Sequence, residues 1–164
     1  MFVPFEEMSK TSRIWIYPSD RELTAEEIST AENILLEFCS QWKAHGHALE
    51  TSFRIVFNRF ILLAADEEKA AASGCSIDSS VHIIQKIGLL LKTDFFDRTR
   101  IPFLKDNQII TFPLTNLKKL FSEGQLGSQD VTINLLAATK EEWGIDGTIT
   151  VSESWMSRYL KAAV

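Results

Sequence analysis

Between Phe60 and Ala65 six consecutive residues, Phe-Ile-Leu-Leu-Ala-Ala, are apolar, and the run stops at Asp66 and Glu67. A strand with one wet face alternates; one that is apolar on both faces has to be covered on both, so this run predicts a central strand. The segment before it keeps period two, with Phe53, Ile55 and Phe57 on one face, and Asn58-Arg59 between the two runs predicts a hairpin. Upstream, Arg13-Ile-Trp-Ile-Tyr17 alternates and ends at Pro18-Ser-Asp, the pattern of a strand followed by a turn.

Two long helices are expected around these strands. Thr24-Ala-Glu-Glu27 has the form of a capping box, and Ile28, Ala31, Leu35, Phe38 and Trp42 follow at helical spacing. Gly46 is the expected stop of this first helix, which would leave His45 and His47 around its negative end. A second helix should start within Ser73-Gly-Cys-Ser-Ile-Asp-Ser-Ser-Val81, capped by Ser73 or Ser76. If Ser76 is the cap, Asp78 lies in the first turn and the buried stripe is Ile77, Val81, Ile84, Gly88 and Leu91. Further on, Ile101–Leu104 and Ile109–Phe112 flank Lys105–Gln108 as a second hairpin, with Pro102 and Pro113 at a sheet edge or at strand ends. A short helix stopping at Gly124, a strand at 131–137, a loop bearing Trp143 and a last helix carrying Trp155 and Tyr159 complete the expected order.

Strand, helix, strand, strand, helix, strand over residues 13–104 is the βαββαβ order of a ferredoxin-like split βαβ sandwich, an α+β fold. Residues 105–164 would form a C-terminal α/β extension packed on it, making residues 1–164 a single globular domain. At 164 residues, 45% hydrophobic and 24% charged, the chain can bury such a core.

A formal net charge of −5 argues against a general nucleic-acid binder. Reading RNA or DNA on a sheet face through Trp15, Tyr17, Arg54 and Arg59 would need a clustered basic surface. Two cysteines, Cys39 and Cys75, are too few for a disulfide framework, and no Cys/His spacing forms a zinc set, so neither metal nor cofactor is expected. No stretch approaches the roughly 18 apolar residues of a membrane span, so a soluble, cytoplasmic protein without membrane contact is expected.

The stretch 73–81 concentrates small hydroxyls, a glycine and a thiol at a helix start, where unpartnered backbone N–H groups favour an anion or a capping oxygen. Candidate ligand-binding residues are Ser73, Gly74, Ser76, Asp78, Ser79 and Ser80, with Asn58 and Arg59 of the hairpin. Candidate catalytic residues are Cys75, whose thiol would gain acidity from the helix dipole, His45 or His47 as its base, and Asp66 at the central strand's exit. His82 cannot serve, since seven helical residues span about 10 Å. The same residues could equally form a plain cap over a buried thiol. The favoured reading is a binding or regulatory module for a small anionic ligand or a protein partner. The alternative is a thiol-dependent enzyme of acyl transfer or hydrolysis.

Together, Trp15-Ile-Tyr17, Trp42-Lys-Ala-His-Gly46, Asn58-Arg-Phe60 and Ser73–Ser80 resemble a family of small bacterial proteins that carry the label of an ABC-transporter ATPase. The likeness runs over most of the chain and implies that these four segments meet in space. It implies no activity: a nucleotide-binding domain needs a phosphate loop of the form G-x-x-x-x-G-K-[ST], and the sequence has none. The nearest echo of a transporter signature, Phe121-Ser-Glu-Gly-Gln125, reads as the end of a short helix.

Overall fold

The computed structural model describes residues 1–68, 71–72 and 74–161, without the side chains of Cys75 and Lys161. The elements run β1 (Arg13–Pro18), α1 (Ala25–Gln41), β2 (Lys43–Ala44), β3 (His47–Ala48), β4 (Glu50–Val56), β5 (Phe60–Asp66), α2 (Gly74–Leu91), β6 (Arg100–Lys105), β7 (Gln108–Pro113), α3 (Leu117–Ser122), β8 (Val131–Ile133), α4 (Lys140–Trp143), β9 (Thr148–Thr150) and α5 (Ser157–Lys161). The result is a mixed α+β chain with antiparallel sheets. It divides into two compact units, Met1–Asp97 with Ala137–Glu142 and Arg98–Leu136 with the residues from Trp143 onward. The first unit thus takes in a short later segment as well as the chain up to Asp97.

In the first unit β5 is the middle strand of a three-stranded sheet ordered β1-β5-β4, antiparallel to both neighbours. Its residues Phe60 to Ala65 are all buried, as the apolar run requires. The β4–β5 hairpin turns through Phe57-Asn58-Arg59, with Phe57 and Asn58 in the left-handed region at φ 53° and 52°. One sheet face packs Tyr17, Ile61, Leu63 and Ala65 against Ala31, Leu35, Cys39 and Trp42 of the α1 side and Ile84 and Ile87 of α2.

Helix α1 opens on the expected capping box: the Glu27 N–H donates to Thr24 Oγ1 at 3.2 Å, and the Thr24 N–H donates to Glu27 Oε2 at 2.9 Å. Arg21 grips the same carboxylate with both terminal nitrogens, at 2.8 and 2.7 Å, and also donates to the Leu91 carbonyl at the end of α2. These bonds, Arg21's first, hold the Glu27 carboxyl down from its usual 4.5 to about 2. The folded value lies below the unfolded one, so the pair's contribution is complete above about pH 4.5 and lost as pH falls toward about 2. Thermal melts across that window should therefore fall more steeply for the wild type than for Glu27→Gln. Parallel curves would remove the pair from the acid response.

Several expectations change. First, Gly46 does not end α1. Helix α1 passes at Trp42 into extended backbone (φ −65°, ψ 126°), and His45-Gly46, at φ 49° and 78°, form the two-residue turn of the β2–β3 hairpin. Secondly, α2 begins at Gly74, so Ser76 lies inside the helix rather than at a cap and Asp78 lies beyond the first turn. Its buried line is Ser76, Ser80, Ile84 and Ile87, while Ile77 and Val81 are only half-buried.

Thirdly, the βαββαβ order is not completed, because β6 does not join the β5 sheet. It pairs with β7 and β8 in a second, four-stranded sheet ordered β7-β6-β8-β9. The reason is twofold. The free edge of β1 is already occupied: the Ile14 N–H donates to the Ala138 carbonyl, and the Ser12 and Lys10 carbonyls accept from the amides of Lys140 and Glu141, each at 2.9 Å. Meanwhile Ile101 and Phe103 of β6 have a core of their own in the second unit, formed with Leu117, Phe121, Leu126, Val151 and Met156. The strand read at 131–137 shortens to β8, and Trp143, read on a loop, ends α4 and is buried.

Candidate functional site

The segment that leaves α1 is tied directly to the start of α2. The Trp42 indole Nε1 donates to the Ser76 carbonyl at 3.0 Å, and Ser76 Oγ donates back to the Lys43 carbonyl at 2.8 Å. Trp42 is 3% exposed, and its ring packs on Phe38 at 5.1 Å and on Trp15 at 5.6 Å between centroids. Three of the four segments singled out in the sequence thus share this corner through Trp15, Trp42 and Ser76.

Beside this join lies a hollow of about 260 Å³ lined by Phe38, Gln41, Trp42, Lys43 and Ser79. Phe38, in the last turn of α1, and Trp42, just past it, pack ring on ring at 5.1 Å and both border the hollow. Lys43, just past the helix, Gln41 and Ser79 are the polar residues of the lining. Phe38, Gln41 and Lys43 were not singled out as site residues. Their signal was that the first helix has to stop somewhere near the serine-rich stretch, but nothing local says that its last turn faces that stretch.

The serines of the second helix divide by face. Ser76 and Ser80 point inward and are bonded to protein, Ser80 Oγ donating to the Ile77 carbonyl at 2.6 Å, so both serve packing rather than a ligand. Ser79 lines the hollow, and Gly74 and Asp78 are exposed. Ser73 and the Cys75 side chain lie outside the described residues. Cys39, the other thiol, is fully buried on α1, and burial pushes it up to about 12. Any fast thiol chemistry of the folded protein would accordingly belong to Cys75.

The remaining candidates sit elsewhere. His45 and His47 are exposed on the β2–β3 hairpin, two and four residues past Lys43. Asp66 Oδ1 accepts the Glu68 N–H at 2.9 Å, which places its carboxylate in the turn leaving β5. Asn58 and Arg59 lie at the opposite end of β5. There the Leu23 N–H donates to the Asn58 carbonyl at 2.8 Å, and Arg59 Nη2 donates to the Asp20 carbonyl at 3.2 Å. They anchor the 19–23 loop and are not brought to the hollow.

An aromatic nucleic-acid platform is not formed by the four residues that suggested it. Tyr17 is buried, Trp15 packs under Trp42, Arg54 pairs with Glu6 at 3.5 Å, and Arg59 is bonded to loop carbonyls. A second, wider groove of about 550 Å³ at the far end of α2 is lined by residues including Gln85, Leu89, Lys92, Asp94 and Phe96. Among the described residues, no three His, Cys, Asp or Glu side chains are grouped to hold a metal ion, and no helix is long and apolar enough to cross a membrane. Compared with known proteins, the chain matches no family model, no curated protein and no solved structure.

Proposed function

We propose that this chain is a soluble, cytoplasmic binding module that takes a small, flat ligand bearing a carboxylate or similar anion in the hollow between the end of α1 and the start of α2. The observation that carries this reading is the lining of the hollow: Phe38 and Trp42, whose rings pack 5.1 Å apart, beside Lys43, Gln41 and Ser79. Apolar walls with a few convergent polar groups are what small-ligand sites consist of. The wall is also pre-positioned, since Trp42 is fixed by its bond to Ser76 before any ligand arrives. In this reading Ser76 and Ser80 hold the frame, and Ser79 borders the ligand from the exposed face of α2.

The architecture of the first unit is compatible with a ferredoxin-like relative that lacks its fourth strand, since β5 lies between two strands joined through α1. That architecture carries no function of its own. A thiol enzyme remains the alternative, supported by one observation: the histidine-bearing hairpin starts from Lys43, whose carbonyl is bonded to Ser76, the residue after Cys75.

Benzoate is a suitable first probe. Titrated into the protein, it should shift the Trp42 indole N–H resonance, and Lys43→Ala should weaken that binding about two- to fivefold, the range of one exposed ion pair. Ser79→Trp, which fills the hollow from an exposed position, should abolish it while leaving the melting temperature near that of the wild type. Benzoate shifts that persist unchanged in Ser79→Trp would place binding elsewhere and end this reading.

A further inference from the structure

The two larger sheets treat their edges differently. In the first unit both outer strands are covered: β1 by residues 138–141, and β4 by the chain's beginning, where Thr51 exchanges backbone bonds of 2.9 Å with Met1 and Val3. In the second unit β7 is a terminal strand, and among the described residues no backbone group bonds to its outer edge.

The register says which groups that edge presents. Asp106-Asn107, at φ 50° and 60°, is a two-residue turn, so Lys105 and Gln108 form a hydrogen-bonded pair. Alternation along the ladder makes Phe103 with Ile110 and Ile101 with Phe112 the next bonded pairs. Leu104 with Ile109, Pro102 with Thr111 and Arg100 with Pro113 are then non-bonded pairs. Both prolines fall where the β6–β7 ladder asks for no N–H. The N–H and C=O groups of Ile109 and Thr111 therefore point away from β6, into the open edge.

Gln-Ile-Ile-Thr-Phe-Pro carries no charge, and an uncharged strand rich in β-branched residues at an open edge invites a second strand. What stands in the way is Arg100. Its Nε donates to Thr111 Oγ1 at 2.9 Å and its Nη2 to the Thr111 carbonyl at 3.1 Å. From β6 the guanidinium thus crosses β7 diagonally and occupies the outward acceptor at the strand's middle.

We propose that β7 is a self-pairing edge and that Arg100 is the guard that keeps two copies of this chain from joining along it. The excluded occupant is the β7 of a second copy. Antiparallel self-pairing sets Ile109 and Thr111 opposite the same two residues, each with an N–H and a C=O to exchange, and no charge on either strand opposes the match. Within one chain the guard satisfies the Thr111 carbonyl. Between two chains that carbonyl would accept a backbone N–H instead.

The test is sedimentation velocity over a concentration series on wild type, Arg100→Ala and the double variant Arg100→Ala/Thr111→Pro, with circular dichroism to confirm that each is folded. Wild type should sediment as one chain, Arg100→Ala should move toward twice that mass as concentration rises, and the double variant, lacking the outward N–H at position 111, should return to one chain. Should the proline variant not fold, Arg100→Ala/Thr111→Lys supplies the same reversal through charge at the edge. A wild type that already pairs, an Arg100→Ala protein that stays single, or a pair that survives the edge-blocking change would each overturn the proposal.

Discussion

Gly147→Ala should destabilise the second unit by about 2–4 kcal/mol, combining a left-handed alanine with overpacking of a filled site. Gly147 has φ +79°, and a Cβ added there would lie 2.3 Å from the Trp143 ring. That ring is 2% exposed and has no room to retreat. The backbone cannot yield easily either, because the Gly147 N–H donates to the Trp143 carbonyl at 3.1 Å and the Gly147 carbonyl accepts from Asn134 at 2.7 Å. Denaturant unfolding followed by amide protection on β8 and β9 would read the loss where it arises. A change below about 1 kcal/mol would show that the indole and the glycine are not in contact in solution.

Trp42→Ala should cost the first unit about 3–5 kcal/mol, the usual range for deleting a buried aromatic side chain. It should also abolish benzoate binding, because the same ring walls the hollow. Trp42→Phe is milder: it keeps a smaller apolar ring while losing the bond to Ser76 and part of the buried volume, with an expected cost of about 2 kcal/mol. If Trp42→Ala unfolded within about 1 kcal/mol of wild type, the indole would not be what joins the end of α1 to α2.

Trp42 also shows what reading along the chain reaches. Its place at the end of the apolar stripe of α1 was evident from spacing, and so was the presence of serines near the start of α2. That the indole crosses to the carbonyl of Ser76 was not evident, since the two residues are 34 apart in sequence. The stripe of α2 misled for a related reason. A serine counts as polar in any periodic pattern, yet Ser76 and Ser80 are buried because each hydroxyl has a carbonyl within reach. Gly46 was misassigned because a left-handed glycine ends helices and turns hairpins equally well; only the β2–β3 pairing distinguishes the two.

By itself, the sequence determined whatever depends on near neighbours: the capping box at Thr24 and Glu27, the β4–β5 hairpin around Asn58-Arg59, and β5 as a strand buried on both faces. These follow from periodicity and short-range hydrogen bonding, which a few adjacent residues specify in full. Tertiary structure alone decided which sheet β6 would join, which face of α2 would turn inward, and that Phe38, Gln41 and Lys43 would border Ser79. A strand's open N–H and C=O groups accept any partner, so the choice falls to where its apolar face finds cover, and for Ile101 and Phe103 that cover comes from residues as distant as Val151 and Met156.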